Sequence, residues 1–349
     1  MQWLAACGLI SVMALGGEAV RINIESSDQQ WSLERTWETK PHFIRLLAVG
    51  DVNLGRRVGQ EILKGDTLYP FVSVRDSFAG YDFVFANLES QLSDQRGETQ
   101  NPRNNLIFTG PPDGSCSLKA AGVTVVSTAN NHALDYGVRG LRQTLTYLDA
   151  SGVYHAGTAT DSSELLRPVV VERNGVKIAL LACTDVMNME DPMWRRYVAM
   201  ADTGSLLPRI RALRDSVDFI IVSYHGGEEY ADCPTLRTKQ FAREMIAGGA
   251  DLFLGHHPHV PYGIEMYEGK YIVYSLGNFV FWQPDRFWTQ RSFAFAADLT
   301  KDDKGTRVAS FRCLPVRSGF QPEFIRDGKE IDVVLERIRT LSTQSLSVR

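Results

Sequence analysis

The stretch "GVTVVSTANNHALDYG", Gly122–Gly137, decides how this chain is read. Its first six residues form a valine-rich run of strand character. Its last ten, Thr128 to Gly137, carry two amides, an imidazole and a carboxylate. Val138, Leu141, Leu145 and Leu148 then recur at helical spacing, so the segment reads as strand, polar turn, helix. Asn and Asp at a strand end serve turn chemistry by themselves. A functional reading therefore depends on whether the plan recurs elsewhere.

It recurs. "FIRLLAVGD" (Phe43–Asp51) and "YDFVFANLE" (Tyr81–Glu89) are apolar runs ending in polar residues, and "VDFIIVSYHGGEE" (Val217–Glu229) and "ADLFLGHHPHV" (Ala250–Val260) repeat the pattern. Between them, Leu206, Leu207, Ile210 and Leu213 mark one amphipathic helix, and a second is predicted over roughly Thr235–Ala247. "VVVERNGVKIALLACTD" reads as a hairpin turning at Asn174-Gly175. "KYIVYSLGNFVF" (Lys270–Phe281) reads as a further strand, followed by candidates near Ser292–Leu299 and Arg307–Leu314. Ile331, Val334, Leu335, Ile338 and Leu341 share one face of a C-terminal docking helix. Alternating strands and helices imply an α/β architecture with buried sheets and some antiparallel additions.

Composition narrows the class. The chain has 349 residues, 44% of them hydrophobic, enough for a substantial core, and a formal net charge of -4 without any basic block. That excludes nucleic acid as the expected partner. The five cysteines include no CxxC pair, so neither a zinc knuckle nor a thioredoxin-like site is supported. Residues 1–20, "MQWLAACGLISVMALGGEAV", are apolar and read as a signal peptide or membrane anchor without the usual positive start. Residues 21–42 read as a linker, residues 43–320 as the main domain, and residues 321–349 as a tail carrying the docking helix. The expected location is the cell envelope, exported or anchored; the alternative is a cytoplasmic chain whose first segment is buried.

Five strand ends deliver a constellation: Asp51 and Asn53; Asn87 and Glu89; Asn130, Asn131 and His132; His225 and Glu228; His256, His257 and His259. Five of the seven histidines are in it, while His42 and His155 read as solvated loop residues. In open α/β sheets, sites form outside the carboxyl ends of the strands. Carboxylates, amide oxygens and imidazoles without thiolates suit Mn²⁺, Fe²⁺ or Zn²⁺. More than six donors leave room for two ions, which two-metal hydrolases hold roughly 3.5–4 Å apart.

Six of these segments, taken in order, carry a resemblance: "GDVN", "NLE", "NNHALDYG", "HGGEEY", "GHHPHV" and "YSLGNFVF". Together they resemble the bacterial capsule-synthesis CapA (PgsA) family, associated with poly-γ-glutamate and related to calcineurin-like metallophosphoesterases. The resemblance runs from about Leu46 to Phe281 and implies a four-layer αββα sandwich. It implies Asp51, Asn53 and His259 at a first ion, with Asn53 standing where phosphoesterases place a histidine. It implies Glu89, with Asn87 as the other choice, near a bridging position. Asn131, His225 and His257 would hold a second ion. His132, oriented by Asp135, would be the proton donor rather than a ligand. Glu228, His256 and Asn278 belong to the capsule-family pattern rather than the phosphoesterase one, and Asn130 is a further candidate site residue.

The implied function is a metal-dependent hydrolase or transferase acting on a phosphoester or amide in capsule or envelope polymer production. An anionic polymer or phosphoester substrate and membrane-bound capsule machinery are the implied partners. The alternative is a non-catalytic envelope component that binds or exports such a polymer. The aromatic group Phe279, Phe281, Trp282, Phe287 and Trp288 reads as core, and Arg286 and Arg291 beside it as a solvated charged face.

Overall fold

A computed structural model describes residues 42–342. β1 (Phe43–Val52) leads through α1 (Arg56–Leu63) and α2 (Arg75–Phe78) to β2 (Phe83–Leu88). Three short strands follow, β3 (Gln91–Leu92), β4 (Gln100–Asn101) and β5 (Asn104–Gly110). Then come α3 (Gly114–Ala121), β6 (Val125–Ser127), α4 (Gly137–Ser151) and β7 (Tyr154–Ala156). A second run has β8 (Val169–Arg173), β9 (Val176–Thr184), α5 (Thr203–Leu213), β10 (Phe219–His225), α6 (Leu236–Ala247), β11 (Leu252–His256), β12 (Ile264–Tyr267) and β13 (Lys270–Val273). The chain closes with β14 (Asn278–Val280), β15 (Arg291–Asp302), β16 (Gly305–Arg317), β17 (Glu323–Phe324) and α7 (Gly328–Leu341).

Two sheets dominate. One runs β17-β16-β15-β1-β2-β6-β7 with β14 also on β1; the other runs β12-β13-β11-β10-β9-β8. Strand periodicity explains how they stack, because successive side chains point to opposite faces. Leu46 and Ala48 of β1 enter one core with Ile178 and Leu180 of β9 and Ile221 of β10, between the sheets. Their neighbours Leu47 and Val49 face outward, against Val58 and Ile62 of α1 and Leu118 of α3. On the other side Leu181 and Val222 pack on Leu206 and Ile210 of α5 and Phe241 of α6. The architecture is a four-layer αββα sandwich. α7 buries Val334 and Ile338 in the inter-sheet core.

The predicted hairpin turns at Asn174 (φ 49°) and Gly175 (φ 74°), the paired left-handed residues that a two-residue turn needs. Three expectations are corrected. Lys270–Phe281 is not a single strand: β13 ends at Val273 in one sheet, and β14 starts at Asn278 in the other. Gly277, at φ 73°, makes the crossing. The aromatic group also divides. Phe279 is buried against Phe78, whereas Trp282 is 43% and Phe287 50% exposed. His155 lies in the edge strand β7, 3.1 Å from Asp149, rather than in a solvated loop. The anchor reading of residues 1–20 and the linker reading up to residue 41 lie outside the described residues.

The crossing at Gly277 leans on a close backbone approach. A Cβ on Gly50 would stand 1.9 Å from the Gly277 carbonyl oxygen. Gly50→Ala is expected to destabilise the protein by at least about 1–3 kcal/mol, the usual range for overpacking. Gly328→Ala, where nothing lies within 4 Å, should leave a denaturant midpoint unchanged. Equal midpoints for the two variants would contradict the steric account.

Candidate metal centre

The parallel strands of both sheets end at a shared seam. Asp51 and Asn87 are paired neighbours on β1 and β2, and His225 and His256 are paired neighbours on β10 and β11. The loops beyond those ends bring in Glu89, Asn130–His132, Glu229, His257 and His259. Asn87 stitches the sheets together: its Nδ2 lies 2.8 Å from Asp51 Oδ1 and 3.1 Å from His225 Nδ1.

Two sets of donors form around Glu89. Asp51, Glu89 and His259 offer atoms within 4.8 Å of one another, and so do Glu89, His225 and His257. In the second set Asn131 Oδ1 is 2.8 Å from His225 Nε2, which is 3.1 Å from His257 Nδ1. Ligands bound at roughly 2.1 Å to one ion stand about 3 Å apart at right angles, so this spacing suits a shared ion. Glu89 Oε1 is buried and has no hydrogen-bond partner among the described residues. It faces His259 Nε2 at 3.7 Å and His132 Nε2 at 3.9 Å. An orphaned buried carboxylate oxygen amid imidazoles fits a divalent cation.

Supporting residues orient the donors. Asn278 Nδ2 donates to Gln283 Oε1 at 2.9 Å and to the Thr289 carbonyl at 3.0 Å. Its Oδ1 is left to accept from His259 Nδ1 at 2.9 Å, which frees His259 Nε2 as a lone-pair donor. Asn131 Nδ2 donates to Asn188 Oδ1 at 3.1 Å, turning its own Oδ1 toward His225. Asn130 holds the ends of β2 and β6 together by donating to the Leu88 carbonyl at 2.8 Å. His257 (φ 94°), His259 (φ 59°) and Tyr230 (φ 61°) all occupy left-handed backbone, strain that clusters at functional sites.

Electrostatics agree with this arrangement. Burial acts to raise the Asp51 carboxyl, but the imidazoles of His256 and His259 outweigh it and hold it well below the usual range. Burial, with the Asp51 charge adding to it, pushes Glu89 well above that range. Burial lowers His225 strongly and takes His257 down to about 3, so both rings are neutral and able to donate lone pairs near neutral pH. His256 Nδ1 is 3.2 Å from Asp51 Oδ1 but is out of hydrogen-bond alignment.

His132 sits apart from the donor sets. Its Nδ1 is 2.9 Å from Asp135 Oδ2, which also accepts from the Phe108 N–H at 3.0 Å. The Phe108 ring covers His132 with centroids 4.2 Å apart. Two expected residues are placed differently from the rest. Asn53 Oδ1 accepts from the Gly55 N–H at 2.8 Å and shapes the turn into α1. Glu228 and Glu229 are both exposed, and it is Glu229 that approaches His257 and His259. Phe108, Asn188 and Glu229 escape the sequence reading; only Glu229 left a signal there, as the second carboxylate of "HGGEEY".

A profile of the bacterial capsule synthesis protein family, PGA_cap, matches residues 45–283, the span that contains every donor described above. The chain belongs to this family. The PGA biosynthesis protein CapA of Bacillus subtilis is 35% identical over 247 residues, covering 69% of this chain and 63% of that one. The capsule biosynthesis protein CapA of Bacillus anthracis is 30% identical over 287 residues, covering 79% and 68%. This PGA_cap chain thus spans just under two thirds of the length of its Bacillus subtilis relative. Among solved structures, the calcineurin-like phosphoesterase YfkN of Bacillus subtilis aligns at TM-score 0.44 and 14% identity, covering 85% of this chain and 97% of that one.

Metal content separates the roles of two histidines. His257→Ala should lose bound metal, whereas His132→Ala should retain it. Elemental analysis of both purified variants decides this. Equal loss in the two would place His132 among the ligands.

Proposed function

We propose that this PGA_cap protein is a metal-dependent hydrolase or transferase that cleaves a phosphoester or amide bond in the production of a poly-γ-glutamate-type envelope polymer. The observation that carries the reading is the seam itself. Two donor sets share Glu89, a buried carboxylate with one unpartnered oxygen, and a separate His132–Asp135 pair stands beside them. Asp51, Glu89 and His259 would hold one ion, and Glu89, Asn131, His225 and His257 a second. Mn²⁺, Fe²⁺ and Zn²⁺ suit this donor chemistry. A bound divalent ion would supply Lewis-acid polarisation of the scissile oxygen.

The protein's own residues supply the rest. Asp135 accepts from His132 Nδ1, which fixes the ring and directs Nε2 toward the Glu89 side of the centre. A proton held at Nε2 is placed for transfer to the departing oxygen or nitrogen, a role contributing on the order of 10²–10⁴-fold in rate. Phe108 excludes water from one face of that imidazole. Asn278 keeps His259 in one tautomer.

An envelope location suits a polymer made for the cell surface. Among the described residues no helix is long and apolar enough to cross a membrane, so the anchoring reading rests on the sequence of residues 1–20.

A screen of phosphoester and γ-glutamyl substrates, with and without chelator, tests the proposal. Activity should vanish on chelation and return with added Mn²⁺ or Zn²⁺. Chelation should also lower the melting midpoint, because hundredfold excess of a native-state ligand over Kd contributes roughly 3 kcal/mol. Asp135→Asn should retain metal and lose at least about tenfold in rate, at the low end of what positioning a proton donor contributes. Metal-loaded protein inert toward every substrate would favour the non-catalytic polymer-binding role.

A further inference from the structure

A cavity of about 330 Å³ opens beside the metal centre, lined by Asn53, Arg56, Arg57, Phe281, Trp282 and Phe320 among others. Its two arginines lie outside the donor sets. Arg56 lies with its Cζ 4.5 Å from the Phe108 centroid and 5.8 Å from that of Phe281. Phe108 covers His132, and Phe281 packs on His259 with centroids 4.9 Å apart. Arg56 is therefore one aromatic ring removed from two histidines of the centre. Arg57 lies 5.0 Å over Phe320, whose ring stacks with Trp282 at 5.2 Å.

Neither guanidinium forms a salt bridge among the described residues, and Arg56 feels the Glu89 and Asp135 carboxylates only at longer range. Among the described residues no carboxylate comes within 4.0 Å of either, in a chain with more acidic than basic groups. Arg56 donates from Nη2 to the Asn105 carbonyl at 2.8 Å, while its buried Nε has no hydrogen-bond partner among the described residues. The backbone holds Arg56 in place at some cost. Its φ is 52°, in the left-handed region, and its N–H is tied to the Thr99 carbonyl at 2.9 Å. Strain of this kind persists only where the surroundings over-determine it, and it gathers at ligand clamps.

We propose that Arg56 and Arg57 form a carboxylate-binding subsite that seats successive carboxylates of a γ-glutamyl chain next to the metal centre. Planar guanidinium forks match carboxylates in a way that lysine does not. The flanking Phe281, Trp282 and Phe320 rings offer apolar surface to the methylenes between one γ-linked carboxylate and the next. The cavity lies at the lower end of the roughly 300–1,000 Å³ range of small-molecule sites, which suits a short stretch of polymer. The subsite rests on the proposed function for its substrate class, but its arginines stand outside the metal donors and can be tested separately.

The test is calorimetric binding of a γ-glutamyl pentamer to the full chain, metal-loaded and chelated, with an amidated pentamer and inorganic phosphate as the other probes. The pentamer should bind in both metal states and the amidated one at least tenfold more weakly. Arg57→Gln, at an exposed position, should weaken pentamer binding about tenfold and flatten its salt dependence, with metal content unchanged. Arg56→Gln should do at least as much, and Arg57→Lys should fall between. Pentamer affinity unchanged in both glutamine variants would overturn the subsite. So would phosphate binding more tightly than the pentamer in an arginine-dependent manner, which would assign the arginines to a phosphoester. If no metal-dependent reaction is found yet arginine-dependent pentamer binding persists, the subsite stands and only the catalytic reading falls.

Discussion

Asp51 and Glu89 are both fully buried, and they lie side by side where the two sheets meet. Two carboxylates so placed cannot both stay ionised unless positive charge or strong donors surround them. The protein divides the burden. Asp51 receives the Asn87 amide and the neighbouring imidazoles of His256 and His259. Glu89 keeps one oxygen without a protein partner among the described residues. The remaining histidines, amides and strained loops at the seam are arranged around that unmet demand, which a divalent cation would meet.

The fold exists in the form that permits this. Each sheet sends parallel strands to the seam, so loops from distant parts of the chain converge without spanning the core. The crossing from β13 to β14 brings Asn278 alongside Asp51, with the Asp51 N–H bonded to the Gly277 carbonyl at 3.0 Å. A side chain at Gly50 would separate those strands, and His259 would lose the amide that fixes its tautomer. Packing in the sheets and chemistry at the seam thus share the same few backbone positions.

Much of this was legible in the sequence because apolar runs that end in amides, carboxylates and imidazoles mark buried strands opening onto a site. The α/β class and the residues gathered at the seam follow from that pattern, and the αββα layering from the family resemblance. Other features leave no local mark. Between Lys270 and Phe281 the pair Gly277-Asn278 reads only as a bend within one strand, whereas the change of sheet depends on that left-handed glycine. Which of the two exposed residues, Glu228 or Glu229, reaches His257 and His259 is settled by backbone beyond Gly227, itself at φ 103°, and adjacent identical residues cannot show it. Phe108 and Asn188 reach the site from segments whose sequence has neither periodicity nor motif.

Direct titration of the chelator-stripped full chain with Mn²⁺, set beside Glu89→Gln, tests the central claim, since both donor sets share that carboxylate. The account predicts saturable binding of one or two ions per chain in the unaltered protein and a large loss of affinity for every bound ion in the variant. Absence of saturable binding in the unaltered protein, or an unchanged isotherm for Glu89→Gln, would contradict it.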